Sequence, residues 1–282
     1  MRHTDAFLLA RGRFLASKHR MPDWLSIIFL GIIEGVTEFL PISSTGHLLL
    51  VENTGLLPHQ SDLFNVVIQC GAVLAVVLVF KDRVRQLLTR WREPDARDYI
   101  LKLGAAFVVT AIGGLILKKL NFRLPEETTP VALATLVGGI LFVVIEWWLR
   151  GRPFKEEITW TLALAIGASQ LLAAVFPGTS RSGATILMAL ALGLSRPVAV
   201  EFSFLLGVPT LLAAGAVKIL DEFRHPSGEP VNWGFIALAS LVAAITAFVA
   251  VKWLLKFVQT HSFVAFGWYR IALGVLILCL PH

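Results

Sequence analysis

Phe39-Leu40-Pro41-Ile42-Ser43-Ser44-Thr45-Gly46 and Phe176-Pro177-Gly178-Thr179-Ser180-Arg181-Ser182-Gly183 decide how this chain folds. Each interrupts apolar sequence with proline, glycine and hydroxyl residues. Apolar segments run at about 25–40, 45–57, 63–80, 99–117, 130–148, 158–176, 183–194, 199–217, 233–255 and 263–280. A helix needs about 20 apolar residues to cross a bilayer. Several segments suffice, but the first two, and the sixth and seventh, are split by the two breaks. A broken helix survives at membrane depth only where protein or a water-filled cavity satisfies its backbone. The breaks are therefore where function is expected.

Composition points the same way. Of 282 residues, 56% are hydrophobic and 16% charged, against roughly 25% charged in a soluble domain, and mean hydropathy is +0.74. A soluble fold of this size has too little interior for so much apolar surface. The net charge of +6 comes from basic residues in short gaps between apolar runs, read as loop charge facing water and lipid head groups. No nucleic acid partner is expected. Cys70 and Cys279 lie deep in apolar stretches and offer neither a disulfide framework nor a cysteine metal site. Residues 1–22, with Arg2, Arg11, Arg13, Lys18 and Arg20, read as a retained basic tail, because the apolar run that follows contains Glu34 and Glu38 and no small-residue cleavage site precedes them.

The two breaks are related. Gly31 and Gly167, Glu34 and Gln170, Pro41 and Pro177, Ser44 and Ser180, and Gly71 and Gly207 are all separated by one constant interval, close to half the chain. The expected fold is an all-α polytopic membrane protein: a single membrane domain over 23–282, built as two repeats of about 24–156 and 157–282. An odd number of segments per repeat inverts the second copy in the membrane, and inverted repeats place a site at their interface near the midplane. Each half is expected to carry one re-entrant helix hairpin plus three spanning helices, with the two hairpin tips meeting inside the bundle. Loops 81–98, 150–157, 194–198 and 252–262 collect twelve Lys/Arg, against five in 118–129 and 218–232. The positive-inside rule puts the first set in the cytoplasm, and the basic tail, with five more, then falls on the outer side.

Glu34 and Glu38, at i and i+4, share a helix face. In apolar surroundings such a pair needs a proton or a cation between its members, and Mg²⁺ or Ca²⁺ would accept both carboxylates. The other reading is a structural pair in an aqueous vestibule. His47 is the only one of seven histidines in an apolar, glycine-containing stretch. It reads either as a hydrogen-bonded core residue or as general base, general acid or nucleophile. Arg181, between Ser180 and Ser182, needs an anionic partner. With Thr179, Ser180, Ser182, Thr185 and a helix N-terminus it forms an anion cradle, or it pairs with Glu34 or Glu38 across the pseudo-twofold. Gln69, Glu201 and Arg270 read as braces or helix ends, Glu146 beside Trp147 and Trp148 as an interfacial residue, and the eight Trp as belt anchors.

With Glu34 to His47 and Pro177-Gly178-Thr179-Ser180-Arg181-Ser182-Gly183-Ala184-Thr185 quoted, the chain resembles the bacterial undecaprenyl-diphosphate phosphatases linked to bacitracin resistance. Both family motifs, E-x-x-x-E and P-G-x-S-R-S-x-x-T, are present without departure. The similarity covers nearly everything beyond the basic tail. It implies hydrolysis of undecaprenyl diphosphate to undecaprenyl phosphate and inorganic phosphate, recycling the carrier lipid of peptidoglycan. It also implies a divalent cation and a multi-pass protein of the bacterial cytoplasmic (inner) membrane with its site open to the periplasmic side. Expected partners are the polyprenyl diphosphate, membrane lipids and, as a candidate assembly, a homodimer.

The residues then take expected roles. Arg181, with Thr179, Ser180, Ser182, Thr185 and Ser43, binds the diphosphate; Glu34 and Glu38 hold the cation; Glu38, His47, Ser44 and Arg181 carry catalysis. Three nucleophiles are open: Ser44 activated by Glu38 or His47, His47 itself, and water, with Ser44 favoured at the hairpin tip opposite Ser180. The acid-phosphatase-like lipid phosphatases are excluded, because the histidine they require six positions after the Ser-Arg arginine is Leu187 here. A polyprenyl-phosphate carrier, or flippase, using the same inverted-repeat site is the alternative of a different class.

Overall fold

The computed structural model describes residues 22–279 apart from 54–56, 58, 121–127, 227 and 229. The basic tail, Pro22 aside, lies outside the described residues. Eleven helices are present among them: α1 Asp23–Thr37, α2 Ser44–Asn53, α3 Asp62–Val79, α4 Lys81–Thr89, α5 Pro94–Lys119, α6 Thr128–Trp148, α7 Trp160–Val175, α8 Arg181–Ala191, α9 Arg196–Arg224, α10 Trp233–Phe257 and α11 Val264–Cys279. The chain is an all-α polytopic membrane protein.

Local chemistry explains where the helices start. Ser61, Thr159, Ser180 and Asn232 each accept a hydrogen bond from the amide three positions on, opening α3, α7, α8 and α10. Pro94 opens α5 and Pro197 lies in the first turn of α9, where a missing N–H costs nothing. Helices α3, α5, α6, α9 and α10 are long and apolar enough to span a bilayer. Helix α11, expected as a sixth spanning helix, has 16 residues among those described. Helix α4 is not among the apolar segments: it is polar, turns off α3 at Phe80, and buries only Leu87. All eight Trp are exposed on the protein surface, as belt anchors require.

Helix packing follows the constant register between the halves. Helix α1 packs on α10 as α7 packs on α5; α1 meets α2 as α7 meets α8; α11 meets α2 as α6 meets α8. Helices α3 and α9, and α6 and α11, pack on their own counterparts. Even single hydrogen bonds repeat: Thr110 Oγ1 donates to the Gly167 carbonyl at 2.8 Å, and Thr246 Oγ1, its mate in the second half, donates to the Gly31 carbonyl at 3.4 Å.

Contacts sort the loops into two ends. At one, Lys155 pairs with the 193–195 turn, Ser195 Oγ donates to Glu156 at 2.8 Å, and Arg83 Nε donates to Glu201 at 3.0 Å. At the other, Lys118 reaches Asp221 at 2.9 Å and Lys218 reaches Asp62 at 3.3 Å. Glu146, expected at the interface, is instead buried at 2% exposure. It receives the Arg196 guanidinium through two hydrogen bonds and the Phe263 amide at 2.8 Å. It thereby ties the ends of α6, α9 and α11 together, a buried charge held by its partners.

The close approach of α1 and α10 depends on Gly35, where a side chain would run into Thr246 and the Ala243 backbone. Gly104 on α5 faces open space. Gly35→Leu is expected to cost about 1–3 kcal/mol through overpacking, read as a lowered unfolding midpoint in detergent. Gly104→Leu is expected to leave that midpoint unchanged or raised.

Candidate functional site

The polar centre lies where the two breaks meet. Helix α1 ends at Thr37, and residues 38–43 turn the chain into α2; helix α7 ends at Val175, and 176–180 lead into α8. Two non-glycine residues among those described adopt left-handed backbone, Ser43 (φ 74°) and Ser180 (φ 67°). Each accepts the amide three positions on at 3.1 Å, Gly46 N–H on Ser43 Oγ and Gly183 N–H on Ser180 Oγ. Ser43 and Ser180 are therefore structural equivalents, one position further apart than the interval that relates the flanking segments. The gap-free pairing of Ser44 with Ser180 is corrected: the path from Gln170 to Ser180 is one residue longer than the path from its counterpart Glu34 to Ser43. The cap hydroxyls are committed to their helices, and the N-termini of α2 and α8, with their free amides, open at the breaks.

Arg270, on α11, holds these loops together. Its side chain is fully buried, and it donates to Pro41 O at 3.2 Å from the first break and to Gly178 O at 3.1 Å and Thr179 O at 2.9 Å from the second. Thr135 O at 3.2 Å and Ala134 O at 3.4 Å on α6 complete its shell. Gly178 (φ 95°) also gives its carbonyl to Thr135 Oγ1 at 3.1 Å, and its lack of a side chain lets it sit against the Val131 carbonyl. The brace expected of Arg270 is thus a clamp on both breaks.

Across the breaks, opposite charges meet. Arg181 Nη2 donates to Glu38 Oε1 at 2.9 Å, the ion pair of the second sequence reading of Arg181. Ser44 Oγ donates to Glu38 Oε2 at 3.1 Å. Arg181 is backed by Phe39, 5.7 Å from its ring centroid, and by Gly207 on α9. Its Nε and Nη1 have no hydrogen-bond partner among the described residues. Glu34 is wholly buried, neither carboxylate oxygen has a partner at full hydrogen-bond geometry, and Glu38, Gln69 and Arg181 are the polar groups close enough to act on it. Orphaned buried groups of this kind cost free energy unless a further ligand satisfies them.

Other expected site residues have different occupations. Ser182 Oγ donates to the Glu38 carbonyl at 3.0 Å and the Leu40 carbonyl at 3.3 Å, so it laces α8 to the first break. Thr185 Oγ1 donates to Arg181 O and Ser182 O within its own helix. Thr179 supplies a carbonyl to Arg270. His47 is not hydrogen bonded to Ser44 or to either carboxylate: its Nδ1 lies 2.7 Å from Ser43 O and its Nε2 2.6 Å from the Tyr269 hydroxyl. Tyr269 was missed by sequence reasoning; the signal was a tyrosine beside an arginine in an otherwise apolar segment. Among the described residues no group of three or more His, Cys, Asp or Glu is placed to hold a metal ion. Any cation would rest on two carboxylates and what a ligand brings.

Fold and site define a helical membrane protein whose interior sets an arginine with free donors against a carboxylate pair, one member of which has free acceptors, between two helix breaks. The chain belongs to the bacitracin resistance protein BacA family, whose model matches residues 27–276. A Rhizobium etli protein named undecaprenyl-diphosphatase is 49% identical over 257 residues, 91% of this chain and 96% of the relative. Proteins of the same name are 47% identical over 263 residues in Xanthomonas axonopodis pv. citri, covering 93% and 98%, and 46% over 259 residues in Xylella fastidiosa, covering 92% and 98%.

The clamp is testable without a substrate. Lysine at 270 keeps the charge but has three donors and no fork, so Arg270→Lys orphans loop carbonyls at about 1–3 kcal/mol each. Its unfolding midpoint is expected to fall, and amide exchange is expected to rise in 38–43 and 176–180 together. Loosening confined to one break would contradict a shared clamp.

Proposed function

We propose that the chain is an undecaprenyl-diphosphatase, cleaving undecaprenyl diphosphate to undecaprenyl phosphate and inorganic phosphate. That recycles the carrier lipid of peptidoglycan and gives resistance to bacitracin. One observation carries the reading: Arg181 presents two unpartnered donors and Glu34 two unpartnered acceptors in one buried centre. An anion accompanied by a cation satisfies both.

Charge argues for the cation. Glu34, Glu38 and Arg181, all ionised, sum to one negative charge, the wrong sign for a diphosphate; a divalent ion reverses it. Glu34 and Glu38 would hold Mg²⁺ or Ca²⁺, in keeping with a Mg²⁺ preference for one or two carboxylates plus substrate phosphates. When bound, the ion supplies charge neutralisation and polarisation of phosphoryl oxygens.

The chain's own residues do the rest. Arg181, released from Glu38, forks onto the terminal phosphate with the free amides at the N-termini of α2 and α8. Ser44 is the nucleophile favoured by its hydrogen bond to Glu38. Its Oγ attacks the terminal phosphorus, its proton passes to Glu38 Oε2, and the bond to the undecaprenyl phosphate oxygen breaks. Water then cleaves the phosphoserine, releasing phosphate and restoring Ser44. Positioning and charge neutralisation provide most of the rate in such transfers. We read the two repeats as inverted in the cytoplasmic membrane, with the site open to the periplasm. The loop distribution of twelve Lys/Arg against five favours this orientation, and the five of the basic tail on the outer side offset most of that excess.

The test is phosphate release from undecaprenyl diphosphate by purified protein in detergent, with Mg²⁺, Ca²⁺ or EDTA. Turnover is expected to vanish with EDTA, and to fall by about 10²–10³ or more in Arg181→Ala and Glu38→Ala, the range for removal of a transition-state charge stabiliser. Full activity in Ser44→Ala would sink the serine route in favour of water or His47. Folded wild type without turnover would leave the carrier reading, since detergent has no leaflets to move lipid between.

A further inference from the structure

His47 is held from both sides by groups the reaction scheme above does not use. Its Nδ1 faces the Ser43 carbonyl at 2.7 Å. A carbonyl only accepts, so Nδ1 carries the proton and the Nε2 of the neutral ring holds a lone pair. The same carbonyl accepts the His47 backbone amide at 3.3 Å, the first bond of α2. On the far side the Tyr269 hydroxyl donates to Nε2 at 2.6 Å. The two rings lie nearly parallel, 9° apart in plane and 5.6 Å between centroids. The imidazole is thus fixed in tautomer by Ser43 and in ring angle by Tyr269.

Tyr269 is itself placed by its neighbour. Consecutive residues of a helix point about 100° apart, so Arg270 enters the clamp on both breaks while Tyr269 turns to α2. The clamp that sets the breaks also sets the register of α11 against His47. We propose that Tyr269 is a positioning residue for the hydrolysis: it holds His47 with the Nε2 lone pair aimed and occupied by a displaceable hydroxyl, ready to accept a proton when the site is loaded. This rests on the function proposed above and gives His47 a proton-accepting place in it, which the Ser44–Glu38 step leaves open.

Tyr269→Phe removes one hydroxyl and keeps the stacked ring. In phosphate release from undecaprenyl diphosphate, kcat is expected to fall about five- to tenfold, the scale of one neutral hydrogen bond. KM is expected to stay at the wild-type value, since Tyr269 acts through His47 rather than on the lipid. In a His47→Ala background the same change is expected to cost nothing further. In ¹⁵N-histidine-labelled protein, the His47 Nε2 resonance is expected to move toward that of a pyridine-type nitrogen without a donor, while Nδ1 stays protonated. A wild-type kcat, an equal loss in the His47→Ala background, or an unmoved Nε2 resonance would each overturn the proposal. Failure of the wild type to release phosphate would instead overturn the function, and the resonance would still read the contact.

Discussion

A chain that breaks two helices inside a bilayer strands their backbone carbonyls where no water can reach them, and the structure depends on how these are satisfied. Arg270 does most of this. One buried guanidinium supplies donors to Pro41, Gly178 and Thr179, from both breaks, and to two carbonyls of α6. No carboxylate opposes it among the described residues; its charge is spread over carbonyl dipoles, an arrangement suited to a planar, weakly hydrated cation. The two breaks are thereby one unit, and Arg181 meets Glu38 because their loops share this anchor.

The two halves match where their helices pack and differ at the breaks. Thr110 and Thr246 make matching bonds to Gly167 and Gly31. At the counterpart of Glu34 stands Gln170, whose amide nitrogen donates to Thr110 at 2.8 Å. The first half thus contributes both acids and the hydroxyl of Ser44, and the second contributes the arginine. Opposite charges on equivalent loops attract across the interface, whereas two copies of either loop would place like charges together at the same depth.

Much of this was legible in the chain because a membrane punishes ambiguity. Run length marked the spanning helices, and Pro, Gly and Ser marked the breaks. Helix α4 escaped because Lys81–Thr89 is polar and lies off the spanning set. The equivalence of Ser43 with Ser180 was hidden because flanking segments keep a constant register while the break absorbs one extra residue; only the left-handed backbone reveals it. Glu146 read as interfacial from its two Trp neighbours, yet a side chain's depth depends on partners distant in sequence, here Arg196 and Phe263. For the same reason the geometry follows the motifs only in part. Glu38, Ser44 and Arg181 are joined as their motifs suggested, while His47 is turned to Tyr269 by a contact from the far end of the chain.

The Arg181–Glu38 pair also explains how charged groups persist at this depth without a ligand. A lone charge at this depth is expensive, and an ion pair recovers that cost only when its geometry is good. At 2.9 Å and nearly buried on both sides, the pair is a serviceable resting arrangement. It is incomplete by design: two arginine nitrogens and both Glu34 oxygens remain unsatisfied. A ligand that brings phosphate oxygens for the arginine and a cation for the carboxylates exchanges one set of partners for another, with little new desolvation of the protein. On the proposed function, binding free energy would then be left for the phosphoryl group itself, where stabilising developing charge accelerates a reaction.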